Sequence, residues 1–191
     1  TSPEAIDRDG NRNLLRAAAD AGVEHVVLLS TLGAAPDHPM SLHRMKYAAE
    51  QALRESGLAW TIVRPSAYLE TWAGVIGAKL ASGGPALVFG PGVKPINFVA
   101  VADVAAAVDL AIRDPEMRGQ VLEVGGPEIF TLNEIYREIA IAIGKPRKPL
   151  LHLPLWWGRH LAGHFEWMAR KGWIGAPPVT RDQLLSLTRD N

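Results

Sequence analysis

Two segments, VEHVVLLST at 23–31 and AWTIVRP at 59–65, constrain the chain more than any other feature. Both are continuous apolar runs rich in β-branched residues, without the polar alternation of a strand that has one wet face. Each therefore reads as a strand covered on both sides. Between them SLHRMKYAAEQALRES, at 41–56, has helical periodicity and is stopped by Gly57. Strand, crossover helix and strand make a right-handed βαβ unit, because parallel neighbours cannot be joined by a tight turn. The fold class expected is α/β, built on a doubly wound parallel sheet.

The remaining punctuation extends this pattern. Ser2-Pro3-Glu4 has the form of a helix start, and that helix is expected to run to Ala21 and end at Gly22. After Pro65 we expect a short helix over 68–81, a break at SGGP and two extended pieces within ALVFGPGVKPINFVAV. Asp103 is expected to cap a helix that runs to Pro115, GQVLEVGG to form a strand, and TLNE at 131–134 to be a capping box for a helix ending at Gly144. TRDQ at 180–183 is a second capping box. The organisation predicted is a sheet domain over 1–145, carrying inserted substrate-side elements, with a small helical cap over 146–191.

Within that cap, Trp157, Leu161, Phe165 and Met168 fall on one helical stripe, flanked by Arg159, Arg170 and Lys171. The stripe is expected to pack on the sheet or over a cleft; the alternative is a helix that meets a membrane surface or a protein partner.

Composition limits the chemistry. With 191 residues, 48% of them apolar and 21% charged, the chain can bury a sizeable core. Twenty basic residues balance twenty acidic ones, which gives no reason to expect nucleic acid as a partner. There is no cysteine, so thiolate chemistry and disulfides are excluded. TSPEAIDRDG lacks the apolar centre of a signal peptide and no apolar run reaches the ~18 residues of a membrane span, so a cytoplasmic location is expected, with the inner-membrane surface as a place the cap can reach. His160 and His164 have metal-pair spacing without a third ligand at motif distance, and no metal is expected.

Ligands of such sheets bind beyond the carboxyl ends of the strands, which directs attention to Ser30-Thr31 and to Pro65-Ser66. A strand ending in Ser, a crossover helix holding Lys46 and a strand ending in Arg64-Pro65 resemble the short-chain dehydrogenase/reductase family. The tyrosine usual four residues before the lysine is replaced by Leu42, and Tyr47 cannot stand in because helix neighbours point about 100° apart. HVVLLSTLGA, MKYAAEQALRESGLAWTIVRPSAYLE, INFVAVADVAAAV, VLEVGGPEIFTLNEI and PPVTRDQLLSLTRDN together resemble the atypical, NmrA-like branch, nearest to bacterial relatives of the NAD(P)H-binding accessory subunit of respiratory complex I. The resemblance implies a Rossmann-like fold and NADP or NAD as cofactor. It implies that Lys46 bonds the nicotinamide ribose, and that Ser30, Thr31 and the Pro65-Ser66-Ala67 backbone surround the nicotinamide.

No G-x-G-x-x-G or G-x-x-G-x-x-G occurs in the sequence, and FGPGVKP at 89–95 reads as a turn. The phosphate site is accordingly expected on an additional N-terminal segment, without which the flank of the strand at 25–31 would be an open edge and the chain unstable alone.

Two functions follow. The first is an atypical reductase passing hydride between NAD(P)H and a small carbonyl or quinone-like acceptor. In it Lys46 anchors the cofactor, Ser30 orients the acceptor, His43, Tyr68 or water supplies the proton, and Asp103 holds the loop that shapes the substrate side. The second is a non-catalytic NAD(P)H-binding structural, sensor or complex-assembly protein, which Leu42 favours because it removes the positioned acid.

Overall fold

The apolar runs lie side by side as parallel strands in the computed structural model, which describes residues 10–82, 86–146, 149–175 and Leu184. In chain order the elements are α1 (Asn11–Asp20), β1 (His25–Leu29), α2 (Ser41–Arg54), β2 (Ala59–Pro65), β3 (Ala67–Tyr68), α3 (Leu69–Ala81), β4 (Ala86–Phe89) and β5 (Pro95–Val99). There follow α4 (Val101–Arg113), β6 (Val121–Val124), β7 (Ile129–Thr131), α5 (Leu132–Ala142), β8 (Leu150–Leu153) and α6 (Leu155–Arg170). The helix start at Ser2 and the capping box at 180–183 lie outside the described residues. Two units divide the chain: Thr1–Leu69 with Phe98–Pro127, and Glu70–Asn97 with Glu128–Asn191.

The first unit is a sheet of order β1-β2-β6, all parallel, with Leu28 opposite Ile62 and Val63 opposite Leu122. Successive residues of β2 face opposite sides, and this sorts its neighbours. Ile62 joins Leu15 of α1, Leu28 of β1 and Ala49 and Leu53 of α2 in one cluster. Val63 joins Val99, Val104 and Ala111, the last two from α4, in another. Helices therefore cover both faces, which is why both strands lack polar alternation. Burying a side chain such as Leu53 or Ile62 completely contributes about 1.5–3 kcal/mol. The outer edge of β1 has no paired strand among the described residues, and Leu29 on it is 42% exposed.

α4 departs from expectation at its start. Its N-cap is Ala100, whose carbonyl accepts from the Asp103 and Val104 amides at 3.1 and 3.2 Å, so Asp103 stands inside the first turn and does not cap. The chain leaving β5 turns directly into the helix at Ala100, and the carboxylate is left to complement the positive end of the helix dipole. Gly126 is required by contact: a Cβ there would lie 1.9 Å from the Phe98 carbonyl oxygen.

In the second unit β4 pairs with β8 in parallel, and β5 with β7 antiparallel. The capping box at Thr131 and Glu134 opens α5 as the sequence predicts. FGPG is a turn seated on the start of α5: the Asn133 amide donates to the Gly92 carbonyl at 3.1 Å, and its side-chain amide donates to the Pro91 carbonyl at 2.9 Å.

The stripe expected on α6 is rotated in the structure. Gly158 and Ala162 are the buried positions, Leu161, Phe165 and Met168 are half-buried, and Trp157 is 52% exposed. The cause is close approach to β4, since a Cβ on Gly158 would meet the Phe89 ring at 2.7 Å. Only a residue without a side chain fits at that contact, and the neighbouring Trp157 is turned outward.

Gly126→Ala should destabilise the protein by about 3 kcal/mol in urea unfolding, because the colliding partner is backbone that cannot rotate away. Gly74→Ala, in the interior of α3 with nothing within 4 Å of the added carbon, should instead stabilise it by about 1 kcal/mol.

Candidate functional site at the carboxyl ends of β1 and β2

β1 and β2 stay paired past the last strand residues. The Ser30 amide donates to the Val63 carbonyl at 2.8 Å, Leu32 to Pro65 at 2.9 Å, and Ser66 to Val124 at 2.9 Å. These bonds bring Ser30, Thr31, Pro65 and Ser66 to one end of the sheet, where doubly wound folds hold ligands. Ser30 and Ser66 are buried, and Pro65 is almost completely so.

Behind them sits a residue that the sequence reading missed. Glu50 of α2 is fully buried, and its carboxylate accepts from Arg64 Nε at 2.9 Å and from Arg64 Nη2 at 2.7 Å. Ser30 Oγ donates to the same carboxylate at 2.5 Å. Glu123 of β6 also faces the guanidinium, at 3.5 Å. The paired hydrogen bond to Glu50 is the main reason that the Arg64 pKa is raised. A carboxylate can be taken out of water only if its oxygens are satisfied, and here a bidentate guanidinium and a hydroxyl do so. One signal was available: Glu50 is an acid between Ala49 and Leu53 on a helix face that must meet the sheet.

Lys46 lies one turn before Glu50 on α2. Its Nζ donates to the Leu29 carbonyl at 3.3 Å, which places the ammonium at the end of β1. Leu42, one turn earlier, is 42% exposed. Tyr47 points elsewhere, lining a groove with Arg12, Leu15 and Arg16 of α1.

His43 is buried, its ring stacked on His38 at 3.9 Å between centroids, and its Nδ1 is enclosed without a hydrogen-bond partner. Burial, with the His38 charge adding to it, lowers its pKa to about 4, so the imidazole is neutral at physiological pH. Tyr68 is half-buried beside the Val63 and Val99 cluster, and burial raises its phenol pKa. Ala67 and Tyr68 pair with Phe98 and Val99. Asp103 is exposed on the first turn of α4. Ser30, Lys46 and Pro65 are thus gathered at the ends of β1 and β2, whereas Tyr68 packs with the cluster under α4. Among the described residues no group of three or more His, Cys, Asp or Glu converges as a metal site.

A family model described as NAD(P)H-binding matches residues 1–115. Among curated proteins the chain is similar to an NAD(P)H azoreductase of Xenophilus azovorans, 31% identical over 133 residues that make up 70% of this chain and 46% of that protein. It is also similar to the NADH dehydrogenase [ubiquinone] 1 alpha subcomplex subunit 9 of Arabidopsis thaliana, 29% identical over 92% of this chain and 45% of that one. The chain spans about half the length of these relatives. Among solved structures, an NADPH-dependent quinone oxidoreductase of Escherichia coli complexed with NADPH superposes with a TM-score of 0.71 at 24% identity, covering 98% of this chain and 62% of that one. That likeness bears out the Rossmann-like fold.

Two outcomes follow from this geometry. Glu50→Ala should cost about 3–5 kcal/mol in urea unfolding, because it leaves the guanidinium without its main partner, while the double change Glu50→Leu with Arg64→Met should recover most of the loss. His43 has a folded pKa of about 4, below its unfolded value of 6.5, so unfolding takes up a proton between those pH values. Its contribution is complete above pH 6.5 and is lost as pH falls through 4, up to roughly 3 kcal/mol. In His43→Phe, which keeps the ring stack, the slope of stability against pH over that window should flatten.

Proposed function

The chain belongs to the NAD(P)H-binding family, and we propose that it holds the nicotinamide-ribose end of NAD(P)H at the carboxyl ends of β1 and β2 within an atypical, NmrA-like short-chain reductase. The whole protein would pass hydride from the cofactor to a small carbonyl or quinone-like acceptor. The observation that carries this reading is the Lys46 ammonium, bonded to the last carbonyl of β1 and standing one helical turn from the buried Glu50 and Arg64 pair. The donor set fits a ribose: a cation and the Thr31 hydroxyl lie at strand ends, and the Pro65-Ser66-Ala67 backbone is available to a flat amide.

A pyrophosphate has no comparable partner in this sequence, which contains no glycine-rich fingerprint. The chain spans about half the length of its relatives, and the pyrophosphate end of the cofactor is outside this proposal.

When bound, the cofactor supplies hydride; the residues supply position. Lys46 orients the ribose. Ser30, whose hydrogen is committed to Glu50, keeps only its lone pairs for a ligand and serves chiefly to hold the end of β1. His43 is neutral and enclosed, which leaves Tyr68 or water as the proton source, with Asp103 on the acceptor side.

A second reading, a non-catalytic NAD(P)H holder or complex-assembly protein, is favoured by the exposed Leu42, which offers no acid one turn before Lys46. A cytoplasmic location belongs to the same proposal; among the described residues no helix is long and apolar enough to cross a membrane.

In the full-length protein, Lys46→Ala should weaken NAD(P)H binding about 10- to 150-fold in a fluorescence titration, from lost charged hydrogen bonds. Unchanged affinity would remove Lys46 from the site. Turnover with a panel of quinones and aldehydes decides between the readings: cofactor binding without oxidation across the panel rejects the reductase.

A further inference from the structure

α6 presents to solvent the residues that a helix in a soluble domain ordinarily hides. At about 100° per residue, Gly158, Ala162, Phe165 and Ala169 share the packed side, and Trp156, His160, His164 and Trp167 share the opposite one. Exposure agrees: Trp156 is 61%, Trp157 52% and Trp167 41% accessible, and Trp173, just past the helix, is 68%. Their rings are ordered against neighbours. Trp167 meets Trp173 edge to face at 5.1 Å, His164 stacks on Trp167 at 5.9 Å, and Trp156 meets His160 at 6.2 Å. Arg159, Arg170 and Lys171 are exposed alongside, and the single acid of the helix, Glu166, is half-buried on the flank that also carries Arg159 and Arg170. The outward face thus carries Trp156 and Trp167 and no acid, with Trp157 on its flank, Trp173 just beyond the helix and the cations beside it.

We infer that this face of α6 binds an anionic lipid surface, with the helix lying in the plane of the headgroups. Three features select lipid over a protein partner. Trp156 and Trp167 are about 16 Å apart along the axis, so the aromatic groups form a line suited to a plane and not the single central cluster typical of a protein hot spot. The outward side carries tryptophan and not leucine or isoleucine. An indole places a flat apolar body at the acyl boundary while its N–H bonds phosphate or ester oxygens. The exposed Arg159, Arg170 and Lys171 complement anionic headgroups. This inference is carried by α6 alone and is independent of the cofactor reading.

The test is sedimentation of the full-length protein with phosphatidylcholine vesicles containing about 30% phosphatidylglycerol, against phosphatidylcholine alone. Binding should be seen with the anionic vesicles, fall at high salt, and be accompanied by quenching of tryptophan fluorescence by lipids brominated near the headgroup. Arg159→Glu, Arg170→Glu and Lys171→Glu together should weaken it about a hundredfold or more. Trp156→Ser with Trp157→Ser and Trp167→Ser should abolish it, with thermal unfolding and NAD(P)H binding unchanged. The wild-type quenching measurement stands even if a variant fails to fold. Equal binding to both vesicle types, no quenching in the wild type, or a tryptophan-dependent dimer that ignores vesicles would overturn the proposal.

Discussion

Glu50 and Arg64 are joined by two charge-assisted hydrogen bonds, and the position of the candidate site depends on that pair. α2 and β2 each have apolar residues enough to pack, but apolar contact alone tolerates a small rotation or slide of a helix over a sheet. A buried carboxylate does not: moving it by an ångström would leave a charge without a partner in a medium that solvates it poorly. Ser30 is drawn into the same arrangement from the end of β1, so one carboxylate ties together the crossover helix and both strands it connects. Lys46, one turn earlier on the same helix, takes its place at the strand ends as a consequence.

On the proposed reading, the leucine at position 42 acquires a physical meaning in this setting. The surroundings that would hold a proton donor are still built, with a lysine anchored to a strand-end carbonyl and a rigid helix beneath it. What stands at the donor position is an exposed leucine. His43, beside it on α2, is enclosed against His38 and neutral at physiological pH, and for that reason the proposed reading does not assign it the proton. On the proposed reading, the site is better arranged to hold a cofactor than to deliver a proton.

Much of the fold was legible because its signals are local. The span of β2 at 59–65, the end of α1 near Gly22 and the capping box at Thr131 depend on residues within a few positions of one another. Asp103 was misplaced because a cap is decided by where the chain turns, and the turn came three residues earlier, at Ala100. The α6 stripe is shifted by part of a turn, with Leu161, Phe165 and Met168 half-buried and Trp157 exposed, because periodicity gives the spacing of a face but not its exact rotation. The Phe89 ring admits only Gly158 at that contact, and this set the rotation.

The sequence by itself determined that the chain builds a parallel sheet covered on both faces and which residues lie at the strand ends. Apolar runs, turn glycines and helix periodicity act over short range and need no distant partner to be read. The tertiary structure alone decided that Ser30 is bound to Glu50, that Arg64 is half of an ion pair, and that the tryptophans of α6 face outward. Those outcomes depend on contacts between residues far apart in the chain, where burial and geometry override what a residue's type suggests.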